Sequence, residues 1–263
     1  MIHHALHRTA FLEEHIMSQI NTKRVAIVTG ASRGIGAQIA RRLARDGFAV
    51  AVNYASSAKE ADALVAELRE AGSASIAVKA DVANADDVRR MFETVEAELG
   101  KIDALINNAG VLKTVPLADT SDALYEQTFD INVRGTFNTL REAAARMNGG
   151  GRIVNFSSTT LALNMPGYAI YNATKAAVES FTHVFAKELR GRGITVNAVA
   201  PGPVATSLFL DGKTDEQIAT FSKMAPLERL GQPDDIASVV AFLVGPDAGW
   251  VNGQVLRANG GIA

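Results

Sequence analysis

Tyr171 and Lys175 stand four residues apart in the phrase YNATK, and two serines, Ser157 and Ser158, precede them at the end of RIVNFSS. Positions i and i+4 of a helix face the same way, so on a helix the Lys175 ammonium lies beneath the Tyr171 phenol. A free phenol titrates near pH ~10, and a neighbouring cation favours its ionised form. A serine hydroxyl within reach of the same point adds a second hydrogen-bond donor, and the spacing favours Ser158 over Ser157 for that place. The chemistry such a set can do is to protonate an oxygen on which negative charge builds, as when a carbonyl accepts a hydride.

The elements that would position this set begin at residues 24–36, RVAIVTGASRGIG. Residues 25–28 are a β-branched apolar run of the kind that forms a strand buried on both faces. Ile35, Ile39, Ala40 and Leu43 then recur at helical spacing, so the glycine-rich turn delivers the chain into a helix N-terminus, whose free N–H groups and dipole suit a diphosphate. Gly30, Gly34 and Gly36 allow the backbone close to such a ligand, with Ser32, Arg33 and Ile35 beside them. Further along, strands are predicted at 48–54, 75–80, 102–110, 152–158, 194–199 and 254–257. Helices are predicted at 58–71, 86–99, 119–147, from Tyr171 to about 190, and at 234–244. Strand and helix alternate throughout, which predicts an α/β protein: a single-domain, Rossmann-type, doubly wound parallel sheet with helices on both faces. In that fold the end of the second strand meets the adenosine ribose, where an acid accepts from the 2′-OH of NAD. Here the position falls at Asn53, followed by Tyr54, Ala55 and Ser56, and no carboxylate is present, while Arg33 offers a guanidinium to a 2′-phosphate. NADP(H) is therefore the expected cofactor.

Thr29 with the glycines gives TGASRGIG, and Asn107-Asn108-Ala109-Gly110 follows the fourth strand. Together with the strand-end serine and YNATK, these motifs are similar to those of the short-chain dehydrogenase/reductase family, in particular members resembling 3-oxoacyl-[acyl-carrier-protein] reductase. They run from Thr29 to Asn259-Gly260-Gly261. The resemblance implies a catalytic set of Asn132, Ser158, Tyr171 and Lys175. Tyr171 would be the acid, Ser158 would donate to the substrate oxygen, Lys175 would also hold the nicotinamide ribose, and Asn132 would hold a helix kink and a water. It implies that Asp81 and Val82 lie beside the adenine, and that Asn108, Ala109 and Gly110 line the cofactor. It also implies that Pro201, Gly202 and Val204 meet the nicotinamide end with Thr206 near the phosphates. A substrate lid would span 203–226, and a homotetramer is usual in the family. Independently of it, an Asn inside a helix is mildly unfavourable, so something must offset Asn132.

Leu208, Phe209, Leu210, Ile218 and Phe221 give the lid an apolar side, which favours a small or medium 3-oxoacyl-type ketone over a sugar. A sugar or polyol dehydrogenase is the alternative, and a non-catalytic NADP(H)-sensing protein is the alternative of another class. The sensor would be expected to have lost part of the four-residue set, all of which is present. Reductases that act on acyl carrier protein present basic residues near the site mouth. Arg192 fits one such place, whereas the other reads Asn148-Gly149-Gly150-Gly151 with only Arg146 nearby, which weakens a carrier-protein partner.

The whole chain of 263 residues is 48% hydrophobic and 21% charged, a globular balance sufficient for one core. A net charge of −2 supplies no basic surplus for nucleic acid. Its apolar runs are far shorter than the ~18 residues of a membrane span. There is no cysteine, which excludes disulfides and thiolate chemistry and permits a reducing, cytoplasmic location. His3, His4, His7 and His15 lack companions at ligand spacing, so no metal is expected. They belong to residues 1–20, which have no signal-peptide core and read as an amino-terminal arm before a domain at 21–263, dispensable up to about Met17 for want of a periodic apolar face.

Overall fold

A computed structural model describes residues 23–263. The arm expected at 1–20 lies outside the described residues. Seven strands build one parallel sheet: β1 (Val25–Val28), β2 (Ala49–Tyr54), β3 (Ser75–Lys79), β4 (Ile102–Asn107), β5 (Arg152–Phe156), β6 (Thr195–Pro201) and β7 (Val255–Ala258). Their order is β3-β2-β1-β4-β5-β6-β7. Side chains alternate between the two faces, so Ala26 and Val28 enter one core layer while Val25 and Ile27 enter the other. Both faces must be covered, and the helices supply the cover. On one side α1 (Gly34–Arg45) and α2 (Ala58–Glu70) pack through Ile39, Leu43, Leu64 and Leu68. On the other, α3 (Ala85–Glu98) packs through Val88, Met91, Phe92 and Val95. The doubly wound sheet expected from the sequence is the fold observed.

Two segments differ from the periodicity-based expectation, and both bear on the site. The single helix expected at 119–147 is a 3₁₀ turn at Leu117–Asp119 and then α4 (Asp122–Phe129), a π-turn at Asp130–Arg134 and α5 (Gly135–Arg146). The kink expected at Asn132 is thus a π-turn, which widens the helix by one residue at that point. Residues 207–224, unpatterned for packing in the sequence, hold two helices. These are α8 (Ser207–Leu210) and α9 (Asp215–Met224), the latter started by a capping box between Thr214 and Gln217. Between them and β5 lie α6 (Thr160–Leu163), α7 (Ala169–Glu188) and β6, and α10 (Pro233–Val244) closes the first layer.

The strand order reverses between β1 and β4, so their carboxyl ends splay apart and open a crevice. Amides close the crevice floor. Asn108 Nδ2 donates to the carbonyls of Thr29 and Gly30 at 2.9 and 3.0 Å, and the Asn108 and Ala109 N–H groups both donate to Thr29 Oγ1 at 3.0 Å. β4 therefore stops at Asn107, short of the strand end expected at Gly110. Beneath, Asn107 Nδ2 donates to Asn155 Oδ1 at 2.9 Å, Asn107 Oδ1 accepts from Thr139 at 2.7 Å, and Asn155 donates to Thr182 at 2.9 Å. This buried chain ties α5, β4, β5 and α7 together. Replacing Asn107 with Ala would strand the Asn155 side-chain oxygen in the core, while the Thr139 hydroxyl keeps the Thr136 carbonyl at 2.9 Å as an acceptor. The expected loss is about 1–3 kcal/mol of unfolding free energy, read by urea denaturation. A loss within 0.5 kcal/mol, roughly the surface-substitution range, would contradict the load assigned to the chain.

Candidate active site

Gly30 adopts φ +60°, and a Cβ on it would stand 2.9 Å from Ala109 Cα. A Cβ on Gly36 would lie 2.5 Å from Asn108 Nδ2 and 2.6 Å from the Gly30 carbonyl oxygen. The turn is therefore pressed against the end of β4 with no room for a side chain, which leaves the N-terminus of α1 open to the crevice. A groove of about 360 Å³ runs from there along the ends of β2 and β3. It is lined by Gly30, Ser32, Arg33, Gly34, Ile35, Gly36, Asn53, Tyr54, Ala55, Ser56, Asp81, Val82, Asn108, Ala109, Gly110 and Thr206, all singled out in the sequence, and also by Ser57, Ala80, Val111 and Ile131, which the sequence reading passes over. The long shape, the exposed helix N-terminus and the strand-end location fit a dinucleotide.

One of these residues does not do what the sequence predicts. Asn53 is buried, its Oδ1 accepts from the Gly30 N–H at 3.1 Å, and its Nδ2 donates to the carbonyls of Val78 and Ala80 at 3.2 and 3.0 Å. Its side chain holds the glycine turn to β2 and β3 instead of confronting a ribose. An Asp there would have no hydrogen to give those two carbonyls, so position 53 cannot serve as the acid-or-amide selector. Arg33 lies exposed on the groove rim together with Ala55 and Ser56.

A second cavity of about 150 Å³ adjoins the first and contains Ser158, Tyr171 and Lys175 beside Pro201, Gly202, Val204 and Thr206. Gly34 meets the Thr206 side chain, since a Cβ there would lie 3.5 Å from Thr206 Cγ2. Lys175 Nζ stands 5.5 Å from the centre of the Tyr171 ring and donates to the Phe156 carbonyl at 2.8 Å. Burial dominates both groups. It pushes the Tyr171 phenol up to about 12, against the opposing effect of its hydrogen bond with Ser158, and pushes the Lys175 ammonium down to about 8. In the protein by itself desolvation decides the state of the phenol, and Tyr171 holds its proton at neutral pH; the pull toward the phenolate expected from the sequence belongs to Lys175 together with the positive nicotinamide of the oxidised cofactor.

The two serines separate cleanly. Ser157 Oγ donates to Glu179 Oε1 at 2.5 Å, while Ser158 Oγ is met by the Thr160 backbone N–H at 3.2 Å and faces the phenol. Asn132 lines neither cavity and is buried within the π-turn. Its Oδ1 accepts from the Val111 N–H at 2.8 Å, and its Nδ2 donates to the Val111 carbonyl at 3.0 Å and to Thr174 Oγ1 at 3.1 Å. A Cβ on Gly110 would fall 3.2 Å from Asn132 Oδ1 and 3.7 Å from Lys175 Nζ, so these three residues meet at the junction of the two cavities. The sequence reading passes over Leu163, Met165 and Tyr168, which complete the wall. The Tyr168 ring stands edge-on to Tyr171 at 6.5 Å. Of the apolar residues expected in the lid, Leu208, Phe209 and Phe221 reach the cavity, whereas Leu210 and Ile218 do not line it. Arg192 is engaged elsewhere, donating to the Ala144 and Met147 carbonyls at the end of α5, and Arg146 pairs with Glu93, Glu96 and Glu142.

Residues 30–263 match a family model described as Enoyl-(Acyl carrier protein) reductase. A "Short-chain type dehydrogenase/reductase" of Picea abies is 45% identical over 248 residues, covering 90% of this chain and 92% of that protein. The chain belongs to the short-chain dehydrogenase/reductase family. A 3-oxoacyl-[acyl-carrier-protein] reductase of Staphylococcus aureus is 43% identical to this dehydrogenase/reductase over 239 residues, covering 90% of this chain and 97% of its own. A solved blue fluorescent protein from a metagenomic library, in complex with NADPH, superposes with a TM-score of 0.88 at 40% identity, covering 93% of this chain and 100% of the other.

Among the described residues no helix is long and apolar enough to span a membrane, and no cluster of metal-ligating side chains occurs.

The Lys175 shift has a stability consequence. Between about pH 8 and its unfolded value of 10.5 the unfolded chain holds a proton on Lys175 that the folded protein does not, so stability contributed by this group rises across that window. Below it the burial penalty, roughly 3 kcal/mol at 1.36 kcal/mol per unit, is fully present. Lys175→Met removes the penalty and forfeits one hydrogen bond. It is expected to melt no lower than the parent at pH 7, with the difference shifting in the parent's favour toward pH 10. A variant markedly less stable at pH 7 would show that the hydrogen bond to Phe156 outweighs desolvation.

Proposed function

We propose that this short-chain dehydrogenase/reductase is an NADPH-dependent reductase of small or medium, uncharged carbonyl compounds, with 3-oxoacyl-type ketones the favoured class. The observation that carries the reading is the placement of Tyr171, Ser158 and Lys175 where a glycine-lined dinucleotide groove opens into an apolar cavity. When bound, the nicotinamide cofactor supplies the hydride. Tyr171, protonated at neutral pH, gives its proton to the substrate oxygen as charge builds there, and Ser158 donates a hydrogen bond to the same oxygen. Lys175 stands against the Tyr171 ring and toward Gly110, the side from which a nicotinamide ribose would be held. Asn132 fixes the π-turn against Val111 and Thr174, and so keeps the cavity junction in register.

The substrate class follows from the walls. Leu163, Met165, Tyr168, Leu208, Phe209 and Phe221 enclose the reacting point, with Phe209 and Phe221 packed edge to face at 5.2 Å. A sugar would leave its hydroxyls unpaired against them. Residues 203–226 serve as the substrate lid in this reading. The likeness to a 3-oxoacyl-[acyl-carrier-protein] reductase supports the 3-oxo class. Carrier protein itself is disfavoured as a partner, because Arg192 and Arg146, the nearby bases, are engaged with carbonyls and carboxylates of this chain. For the cofactor, an NADPH-bound structural relative and the exposed Arg33 on a rim free of carboxylates at Tyr54, Ala55 and Ser56 support a 2′-phosphate.

The test is NADPH consumption against acetoacetyl thioesters, diketones, simple ketones and sugars at equal concentration. The highest specificity constant is expected for an apolar 3-oxo compound, and a sugar at the top would overturn the assignment. Tyr171→Phe keeps the ring and removes the acid. Turnover should fall at least 100-fold, about the scale of general acid catalysis, with NADPH affinity retained. Near-normal turnover would remove Tyr171 from its role. Arg33→Ala should weaken NADPH about tenfold and leave NADH nearly unchanged, as measured by fluorescence titration, since only one of the two carries the phosphate that a guanidinium pairs with. Equal weakening of both would assign Arg33 to the shared diphosphate.

A further inference from the structure

One phenol in the substrate cavity has no task in the reaction. Tyr168 lines that cavity, is 7% exposed, and sets its ring edge-on to Tyr171 at 6.5 Å. Its place is fixed by the backbone around it. Gly167 adopts φ +84°, its carbonyl accepts from the Val115 N–H at 3.0 Å, and a Cβ on it would lie 2.8 Å from Thr114 Cγ2. Tyr168 then heads α7, where its carbonyl accepts from the Asn172 N–H at 2.8 Å. The residue is held, but its hydroxyl is not. A buried phenol normally finds a partner for its O–H. Among the described residues the Tyr168 hydroxyl has none, yet it is not sealed in the core, where the buried side-chain polar atoms without a partner are Arg152 Nε and Thr195 Oγ1. The Tyr168 oxygen therefore opens onto the cavity that the residue lines.

The surroundings say what the free O–H can take. Leu163, Met165, Phe209 and Phe221 offer it nothing polar, and the hydroxyls of Ser157, Thr159 and Thr160 are already bonded, to Glu179, the Ala200 carbonyl and Asn172. An acceptor must come with the substrate. Tyr168 adds through charge to the upward push on the Tyr171 phenol, so the two oxygens are near enough to sense each other, but no hydrogen bond joins them. The space between them is open to substrate atoms. We propose that Tyr168 is a specificity-determining residue whose O–H donates to the second carbonyl oxygen of a 3-oxo substrate, while Tyr171 and Ser158 act on the first. The inference rests on the carbonyl reduction proposed above and names the group that reads its substrate. Tyr168 and Tyr171 stand three residues apart at the head of one helix, so a rigid element sets their separation. A 1,3-diketo compound carries two acceptors one methylene apart and no donor to strand against the apolar wall. A sugar would present more hydroxyls than one phenol can serve, and a simple ketone would leave Tyr168 unanswered.

Ethyl acetoacetate and 2-hexanone are ketones of similar length that differ in the second carbonyl, and Tyr168→Phe keeps the ring while removing the O–H. In the variant the KM for ethyl acetoacetate should rise about tenfold with kcat within about twofold of the parent, because a bond to the unreacting carbonyl is made equally before and in the transition state. Both constants for 2-hexanone, and the KM for NADPH, should stay within about twofold. Comparing variant with parent on each substrate cancels the difference in intrinsic reactivity. An equal loss on both ketones would make Tyr168 a support for the wall, and no loss on either would leave its hydroxyl without a role; each result overturns the proposal. Calorimetry on the complexes with NADP⁺, in which no hydride is available, reads the same point without turnover. Ethyl acetoacetate should bind the variant about tenfold more weakly than the parent, and equal affinity would overturn the inference even if the parent reduces carbonyl compounds. A crystal of the unaltered protein with NADP⁺ and ethyl acetoacetate checks the contact with no variant at all. The ester carbonyl oxygen is expected within about 3 Å of Tyr168 Oη, and an ester turned away from Tyr168 would overturn the assignment. A parent enzyme that reduces no carbonyl compound would refute the proposed function alone, because the binding comparison stands apart from turnover.

Discussion

The site depends on how the ends of β1 and β4 are satisfied where their pairing stops. A parallel sheet that reverses its strand order exposes backbone carbonyls and N–H groups at the switch point, and buried groups of that kind must find partners. Asn108 and Thr29 exchange those partners across the gap, and the same contacts leave no volume for a Cβ at Gly30 or Gly36. The tightness that satisfies the backbone is therefore also what bares the N-terminus of α1. One layer below, the Asn107 and Asn155 amides carry the connection through β5 to Thr182 of α7, the helix on which Tyr171 and Lys175 ride. The groove and Tyr171 are thus tied to two adjacent residues of one strand end, Asn108 toward β1 and Asn107 toward β5 and α7.

Inside that frame the electrostatics are set by exclusion of water. A phenol and an ammonium side by side in water would draw each other toward the charged forms. Buried together they move the other way, the phenol up to about 12 and the ammonium down to about 8. The arrangement suits a donor in carbonyl reduction, since the proton is present at neutral pH and is released to an oxygen that has become strongly basic. Lys175 is kept from being a bare buried cation by the Phe156 carbonyl, which means that the strand end bearing Ser158 also anchors the lysine.

The elements most legible in the sequence are those governed by local patterns. The β-branched runs of the strands, the glycine turn and the i,i+4 pairing of Tyr171 with Lys175 all stand in the structure as the spacing implies. Less legible is anything that depends on what a side chain meets across the fold. Asn53 reads as a selector facing the ribose because its position in the strand is right, yet its amide is consumed by Gly30, Val78 and Ala80. Arg192 reads as a free base at the site mouth because charge is visible in a sequence and the carbonyls that cap α5 are not. Ser157 and Ser158 are neighbours that spacing alone ranks in favour of Ser158, and the structure separates them outright, with Glu179 on one side and the phenol on the other. The capping box of Thr214 and Gln217 was a readable signal for α9, masked by the absence of a long apolar period after it.

The two halves of the site are built with different rigidity, and this bears on how such a chain can acquire specificity. The groove and the Tyr171 set rest on strand ends and on a helix packed through Phe181 and Phe185 against one core layer, where a displaced atom propagates into packed neighbours. The substrate wall is drawn instead from α6, α8 and α9, short elements with no fully buried side chain of their own. Leu208 and Phe221 enter the cavity from α8 and α9, and Phe209 is held by its ring contact with Phe221 rather than by the sheet. Substitutions there can reshape the pocket at little cost to the core, because the backbone they ride on carries none of the polar chain beneath the acid. On the proposed reading, chemistry is fixed where the sheet fixes it and substrate choice is delegated to the segment least bound to the sheet, so the motifs of this sequence identify the family more sharply than any substrate.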